Sequence, residues 1–329
     1  MMDESDEWFD DVSWNFNDTN DITISLTYYG QVDKLIHHCE FFSGMTDWLK
    51  NHITVQFIND AAPDQGIFED ICHAYKNRFK LKSYTIKQDI GFNNHGCRNG
   101  VNKAISWFFN NIEYGLILED DIEIDLNYLK YVRELLLIYK DNKSISSISS
   151  HTFLNSKRLK LKSDTLFLSP LCRVWGWATW RDRWKKNIIF QEKIIKKNLY
   201  GIFFELPNEY KNFNSALRIW KCLNGEFDTW DYEWNFFHIK SRTYSITPDR
   251  FYSLNHGFRK DATHTSNSKD KPWIKIDNYN LDFSKNKKIL RSPSTKIVKE
   301  ITRECGYPQN NNLLKEYFYL IKHIIYNYI

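Results

Sequence analysis

The chain is expected to fold as an α/β protein, a mostly parallel sheet with helices on both faces, followed by a helical and irregular C-terminal part. Three observations predict it. Over residues 21–149, short apolar runs alternate with stretches of helical spacing. One of those runs, Gly115-Leu116-Ile117-Leu118, ends in three consecutive carboxylates, Glu119-Asp120-Asp121. Beyond residue 150 the alternation stops and aromatic, Gly-containing sequence takes over.

Each element has its own signal. Residues 21–28 (DITISLTY) and 52–58 (HITVQFI) are rich in β-branched side chains, which fit a pleated, half-buried surface. Residues 82–86, 114–118 and 145–149 complete the expected strands. Between them, 32–42, 67–79, 98–110 and 126–140 carry apolar residues at helical spacing. The loop Asn59-Asp60-Ala61-Ala62-Pro63-Asp64 closes the second strand. In the second half we expect two or three helices between residues 188 and 239, a short strand at 243–246, and polar irregular chain over 266–288. The tail 313–329 is apolar at 313, 317, 320, 321, 324 and 328, a helical spacing. Residues 1–20 hold seven acids and no Lys or Arg, and are expected to be disordered or loosely attached. No internal repeat is evident.

Composition narrows the class. With 329 residues and 42% hydrophobic content a sizeable core is within reach. Aromatics make up 16%, with 12 Trp, and flat rings suit the apolar face of a sugar as well as a core. The net charge of +4 conceals a basic body behind the acidic start, which suits an anionic substrate or surface. Six cysteines stand singly, with no CxxC pair, which argues against a zinc site and against a small disulfide scaffold and fits a reducing cytoplasm. The start does not read as a signal peptide, and no apolar run reaches the roughly 18–20 residues that span a bilayer.

The carboxylate run carries the chemistry. In open α/β sheets ligands bind at the carboxyl edge, and hard carboxylate oxygens suit Mg²⁺ or Mn²⁺. The bland alternative is an acidic helix N-terminus, favoured by the helix dipole. Neither GxGxxG nor GxxxxGK[ST] is present, so a phosphate-binding site here would neutralise charge with a metal. Asp121 is then best placed for the ion, and Asp120 for a ribose or a metal-bound water.

Trp230-Asp231-Tyr232-Glu233-Trp234 is the second constellation. On a helix Asp231 and Glu233 diverge, while Asp231 shares a face with Trp234, Asn235 and His238. An acid among large aromatics is partly desolvated, which raises its pKa and suits a general base. His264, in Asp261-Ala262-Thr263-His264-Thr265, is a candidate metal or phosphate contact or an ordinary hydrogen-bonded histidine. Trp175-Gly176-Trp177 reads equally as a core knot or a sugar platform.

These ordered elements resemble the GT-A glycosyltransferases, in particular bacterial relatives of the N-acetylglucosaminyltransferase I family. The resemblance rests on the first strand and helix over 22–42, on the strand Leu116 to Asp121 with its DxD-type ending, and on Trp175-Gly176-Trp177-Ala178-Thr179-Trp180. The helix start Trp230-Asp231 and the segment 261–265 add to it. It covers about residues 21–265, read as a nucleotide-sugar half (21–150) and an acceptor half (151–265), with 266–329 as an extension.

The resemblance implies a GT-A-type, Rossmann-like sheet and inverting transfer from a UDP-sugar with Mn²⁺ or Mg²⁺. By analogy Asp121 binds the metal, with His264 as a further ligand. Asp120 and Glu119 lie at the nucleotide and sugar, Asn59 and Asp60 at the uracil or ribose, and Trp175, Trp177 and Trp230 line the donor site. Asp231 is the base, with Glu233 as the fallback, because Tyr232-Glu233 stands where the eukaryotic enzymes have a tighter Trp-Asp-Asp-Trp. Expected partners are the donor and a glycan, lipid-linked or protein acceptor; no nucleic acid is expected. The tail 313–329 is expected to dock on its own domain, to make a homodimer, or to contact the inner face of a membrane. The alternative function is a degenerate transferase serving as a carbohydrate-binding or assembly subunit. A nucleotidyltransferase lacks its Gly-rich, Arg-containing loop here, and a glycosidase would need a better pair than Asp231 and Glu233.

Overall fold

The computed structural model describes residues 22–28, 32–59, 65–85, 96–152, 166–248, 251–257, 290–291, 295–304, 307 and 312–328. The acidic segment 1–20, Asp60, the polar stretch 266–288 and His264 lie outside them, as does the side chain of Asn59.

The first half alternates as its sequence predicts. Strand β1 (Ile22–Tyr28) is followed by helices α1 (Val32–Ser43) and α2 (Asp47–His52), then β2 (Ile53–Asn59), α3 (Gln65–Tyr75) and β3 (Lys80–Thr85). Helix α4 (Gly96–Asn111) leads into β4 (Tyr114–Glu119), the short β5 (Ile122–Ile124), α5 (Leu126–Ile138) and β6 (Ile145–Ser149). The observed strands match the expected ones to within a residue or two at most ends. Short α2 was not expected: Thr46 caps it, its hydroxyl accepting from the Leu49 amide, and Leu49 buries against the sheet.

In the second half come β7 (Leu166–Ser169), β8 (Trp177–Trp180), and helices α6 (Arg181–Ile194), α7 (Leu199–Glu205), α8 (Phe213–Leu223) and α9 (Asp231–Ser241). Strands β9 (Tyr244–Pro248), β10 (Ser253–Asn255) and β11 (Leu290–Arg291) precede α10 (Thr295–Glu304) and α11 (Leu313–Tyr328).

One nine-stranded sheet runs β11-β7-β9-β6-β8-β4-β1-β2-β3. Strands β1 to β4, β6 and β9 share one direction, and β7, β8 and β11 oppose them. The protein is therefore a mixed α/β fold around a large, mainly parallel sheet. The Trp175–Trp180 stretch supplies the reversal: β8 slots antiparallel between β4 and β6, with Ala178 opposite Leu116 and Trp177 opposite Ile117. Gly176 makes this possible. Its φ is +76°, a left-handed conformation, and a β-carbon there would lie 3.0 Å from Ile124 Cγ2.

A second sheet pairs β5 with β10, Leu254 opposite Glu123 and Asn255 opposite Ile122. It brings the chain after residue 255 back onto the end of the acidic strand. Among the described residues no helix is long and apolar enough to cross a membrane. Helix α11 buries Leu320 against α7 to α9, and Glu316 accepts from the first amide of α8, Phe213, at 2.9 Å. Its other face leaves Leu314 and Phe318 82% and 62% exposed.

Candidate active site

Strand β4 is apolar and buried through Leu118 because it lies central in the sheet, covered on both faces. Burial relaxes at its carboxyl end, and Glu119, Asp120 and Asp121 emerge half-buried there. Asp120 accepts from Lys34 of α1 at 2.8 Å, which ties the first helix to the acidic edge. Asp121 carries no ion pair with Lys or Arg among the described residues. The amide of His256 donates to its carbonyl at 2.8 Å, and the backbone of Gly257 lies against its carboxylate. A β-carbon at 257 would come within 2.2 Å of Asp121 Oδ2. With the carboxylate where it stands, only glycine fits this close approach.

Asp231 comes from the other half of the chain, at the first turn of α9. Thr229 Oγ1 donates to its Oδ1 at 2.5 Å, which orients the carboxylate. The next residue of the constellation behaves differently. Glu233 is wholly buried and ion-paired to Arg98 Nε at the start of α4. Beside it, Asp228 caps the same helix, accepting from the amides of Cys97 at 2.7 Å and Arg98 at 2.8 Å. Asp228 and Glu233 thus clamp the loop 228–233 onto α4 and fix where Asp231 sits.

Electrostatics show which acids share one space. Burial raises Glu119, and the charges of Asp121, Asp120 and Asp231 add to it, pushing its carboxyl up to about 8. Asp121 is raised by burial and by Asp120, with Lys34 and His256 acting against the shift. Asp231 is raised by burial, opposed by Thr229 and the charge of Arg173. The Cys97 thiol is raised by burial and by Glu119, Asp228, Asp231 and Asp121 together. Four carboxylates from β4, from the turn after it and from α9 therefore converge, with Lys34 as the single ion-paired cation among the described residues of β4's acidic end.

The tryptophans take a different part from the one the sequence implies. Trp177 and Trp230 are 0% and 2% exposed, stacked at 5.4 Å, and packed with Trp184 and Trp234. Of the two readings of Trp175-Gly176-Trp177, the core knot is the one Trp177 adopts, because β8 is an interior strand with α4, α6 and α9 packed over it. Trp230 does not face outward either; its indole N–H donates to Glu119 Oε1 at 3.3 Å and so positions that carboxylate. Trp175 is half-buried and stacked on His151 at 5.0 Å. Lys34, Arg98, Arg173, Asp228 and Gly257 escaped the sequence reading. The first four are common surface residue types, and only the Gly after His256 hinted at a close approach.

A mixed α/β protein with a convergent carboxylate set at its sheet edge is the class these features define. No protein-family model matches the chain, and no curated protein does. Solved structures show partial likeness. A mannosyltransferase, PcManGT from Pyrobaculum calidifontis in complex with GDP-Man and Mn²⁺, matches with TM-score 0.37 at 13% identity, over 52% of this chain and 48% of that one. TarS 1–349 of S. aureus matches with TM-score 0.39 at 14% identity, over 72% of this chain and 61% of that one. The same protein in complex with UDP-GlcNAc gives 0.33 at 17% identity, over 51% and 48%. The chain thus spans about half to three-fifths of those structures.

Proposed function

We propose that this chain is a metal-dependent, inverting glycosyltransferase that moves a sugar from a UDP-sugar to a hydroxyl acceptor in bacterial surface-glycan or glycoconjugate synthesis. One observation supports this above the others: Asp121 and Asp231, over a hundred positions apart in sequence, both act on the buried carboxyl of Glu119, which also accepts from the Trp230 indole. A transferase of this kind needs a cation-binding acid for the diphosphate and a separate base for the acceptor, close enough to act on one bond.

The residues fit a divalent metal. Burial and neighbouring carboxylates raise the pKa of Glu119 and of Asp121, and such a set is short of positive charge. Asp121 would hold the ion, with Glu119 behind it and Gly257 leaving room beside its oxygen. A bound Mn²⁺ or Mg²⁺ supplies Lewis-acid stabilisation of the departing diphosphate. Asp120, held by Lys34, is assigned to the nucleotide and sugar side, and the resemblance assigns Asn59 and Asp60 to the base or ribose. His264 remains the proposed second metal contact.

Asp231 acts as the base. Its raised pKa favours taking a proton, and Thr229 orients the carboxylate. As that proton transfers to Asp231, the acceptor oxygen bonds to the anomeric carbon and the diphosphate leaves from the opposite face. Glu233 serves as a clamp through Arg98. Trp175, at the end of the segment that carries Arg173, is the aromatic best placed for the sugar. Five described cysteines are free thiols, in keeping with a cytoplasmic setting, and the exposed face of α11 supports peripheral attachment to the inner membrane surface.

The test is a thermal-shift panel of UDP-, GDP-, CMP- and dTDP-sugars with Mn²⁺, followed by nucleotide release for the best donor. We expect a UDP-sugar to give the largest shift and chelator-sensitive UDP release. Binding without release in the presence of varied acceptors would favour a carbohydrate-binding subunit. No shift with any sugar nucleotide would overturn the reading.

A further inference from the structure

Next to the carboxylate set lies a group of different chemistry. His37 on α1, Glu123 on β5 and His256 after β10 converge so that their donor atoms all lie within 4.8 Å of one another. Both imidazoles approach one carboxylate oxygen: His256 Nε2 lies 3.0 Å and His37 Nε2 3.4 Å from Glu123 Oε2. Metal–nitrogen and metal–oxygen bonds of about 2.0–2.2 Å in tetrahedral array set donor atoms roughly 3.3 Å apart. The two His–Glu separations match that spacing, and all three donors lie within 4.8 Å of one another.

The three elements are held firmly. His38, the neighbour of His37, bonds through Nε2 to the carbonyl of Ile122 at 3.0 Å, so α1 is tied to β5 one residue from each ligand. Its other ring nitrogen meets the Tyr28 hydroxyl, also at 3.0 Å. Glu123 is paired across the ladder with Leu254, and His256 is fixed by the hydrogen bond its backbone N–H donates to the Asp121 carbonyl. The positions are therefore set by backbone contacts that do not depend on the His–Glu hydrogen bonds. His37 and His256 remain 53% and 36% exposed, so an ion could enter and keep water on its open positions.

We propose that His37, Glu123 and His256 form a second cation site, one that takes Zn²⁺ or a similar borderline transition metal and not Mg²⁺. Two imidazoles and one carboxylate are the donor set of such ions, whereas Mg²⁺ prefers oxygen alone. The site is separate from Asp121 but shares its backbone: an ion there ties α1, β5 and the 256–257 turn together, and Gly257 of that turn abuts the Asp121 carboxylate. Its occupancy stiffens the wall of the carboxylate site. The proposal does not depend on the transferase reading.

The experiment uses the untagged full chain. Zinc affinity is measured by competition with a chromophoric chelator, with Mg²⁺ as the comparison metal, for the wild type, H37Q, H256Q, the double variant and D121N. We expect the wild type to bind one Zn²⁺ per chain and Mg²⁺ not to displace it. Each single His substitution should weaken zinc by ~10-fold or more, since loss even of an outer partner costs 10–100-fold. D121N should bind it as the wild type does, and circular dichroism should show every variant folded. Zinc retained by the H37Q/H256Q double variant, zinc lost in D121N, or no zinc bound by the wild type would each overturn the proposal.

Discussion

The backbone of Gly257 lies so close to Asp121 that a β-carbon at 257 would sit 2.2 Å from the carboxylate oxygen Oδ2. The turn after β10 is therefore shaped around the acid that ends the β4 strand. Gly257→Ala should push the Asp121 carboxylate aside, a crowding that costs ~1–3 kcal/mol in packed sites. We expect Mn²⁺-dependent UDP binding to weaken by about 10-fold at that cost, with secondary structure intact. Calorimetry on the two proteins checks it; equal affinity would mean the carboxylate is free to relax.

Asp231→Asn should leave donor binding nearly unchanged and lower turnover by at least ~10²-fold, the usual contribution of a general base. Glu233→Gln should instead disturb the Arg98 pair and loop 228–233, and show first in thermal stability. Steady-state kinetics beside melting curves separate the two. A turnover loss in Glu233→Gln at unchanged stability would move the base two residues along.

A pH dependence follows from Glu119, which burial and its neighbours push up to about 8. A carboxyl raised in the folded state binds its proton more tightly there than in the unfolded chain. Its stabilising contribution is full below the unfolded value and is lost as pH rises through the folded one. Asp121 and Asp231 are shifted the same way. The metal-free protein should therefore lose stability from this set between about pH 5 and pH 8, and Mn²⁺ should stabilise it more at the upper end. Melting curves with and without Mn²⁺ measure this, and Glu119→Gln should flatten the trend. Equal Mn²⁺ stabilisation at both ends would count against the metal site.

Helix α11 shows two faces, one docked through Leu320 and one exposing Leu314, Phe318, Ile321 and Ile325. An apolar face of this kind beside Lys315 and Lys322 suits an anionic bilayer surface. Leu314→Ser with Phe318→Ser, which leaves the docked face alone, should reduce co-sedimentation with anionic liposomes several-fold. Unchanged sedimentation would remove the membrane role, and a change of mass in light scattering would assign the face to a dimer.

The alternating half was legible because each strand is a short apolar run and each helix has a clear period. β8 was not read as a strand, because its order Trp177-Ala178-Thr179-Trp180 lacks alternation and its partners β4 and β6 lie far off in sequence, Ala178 opposite Leu116 and Ile148. The carboxylates at the end of β4 could be placed from sequence, since a buried run ending in acids has few other outcomes. Their coupling to Asp231 could be expected only through the family resemblance. What the sequence could not show was the role of common residues at a distance: Arg98 buried against Glu233, Asp228 capping α4, or Lys34 on Asp120. Tryptophans misled in the opposite way, since a ring suited to stacking on sugar is equally suited to a core, and Trp177 and Trp230 lie in the core.

In the proposed mechanism Asp121 holds the cation through which a nucleotide diphosphate binds. Calorimetric titration of UDP into the wild type and Asp121→Ala, each with Mn²⁺ and with chelator, tests it most directly. The wild type should bind only when Mn²⁺ is present, and Asp121→Ala in neither condition. Undiminished Mn²⁺-dependent binding by Asp121→Ala would contradict it.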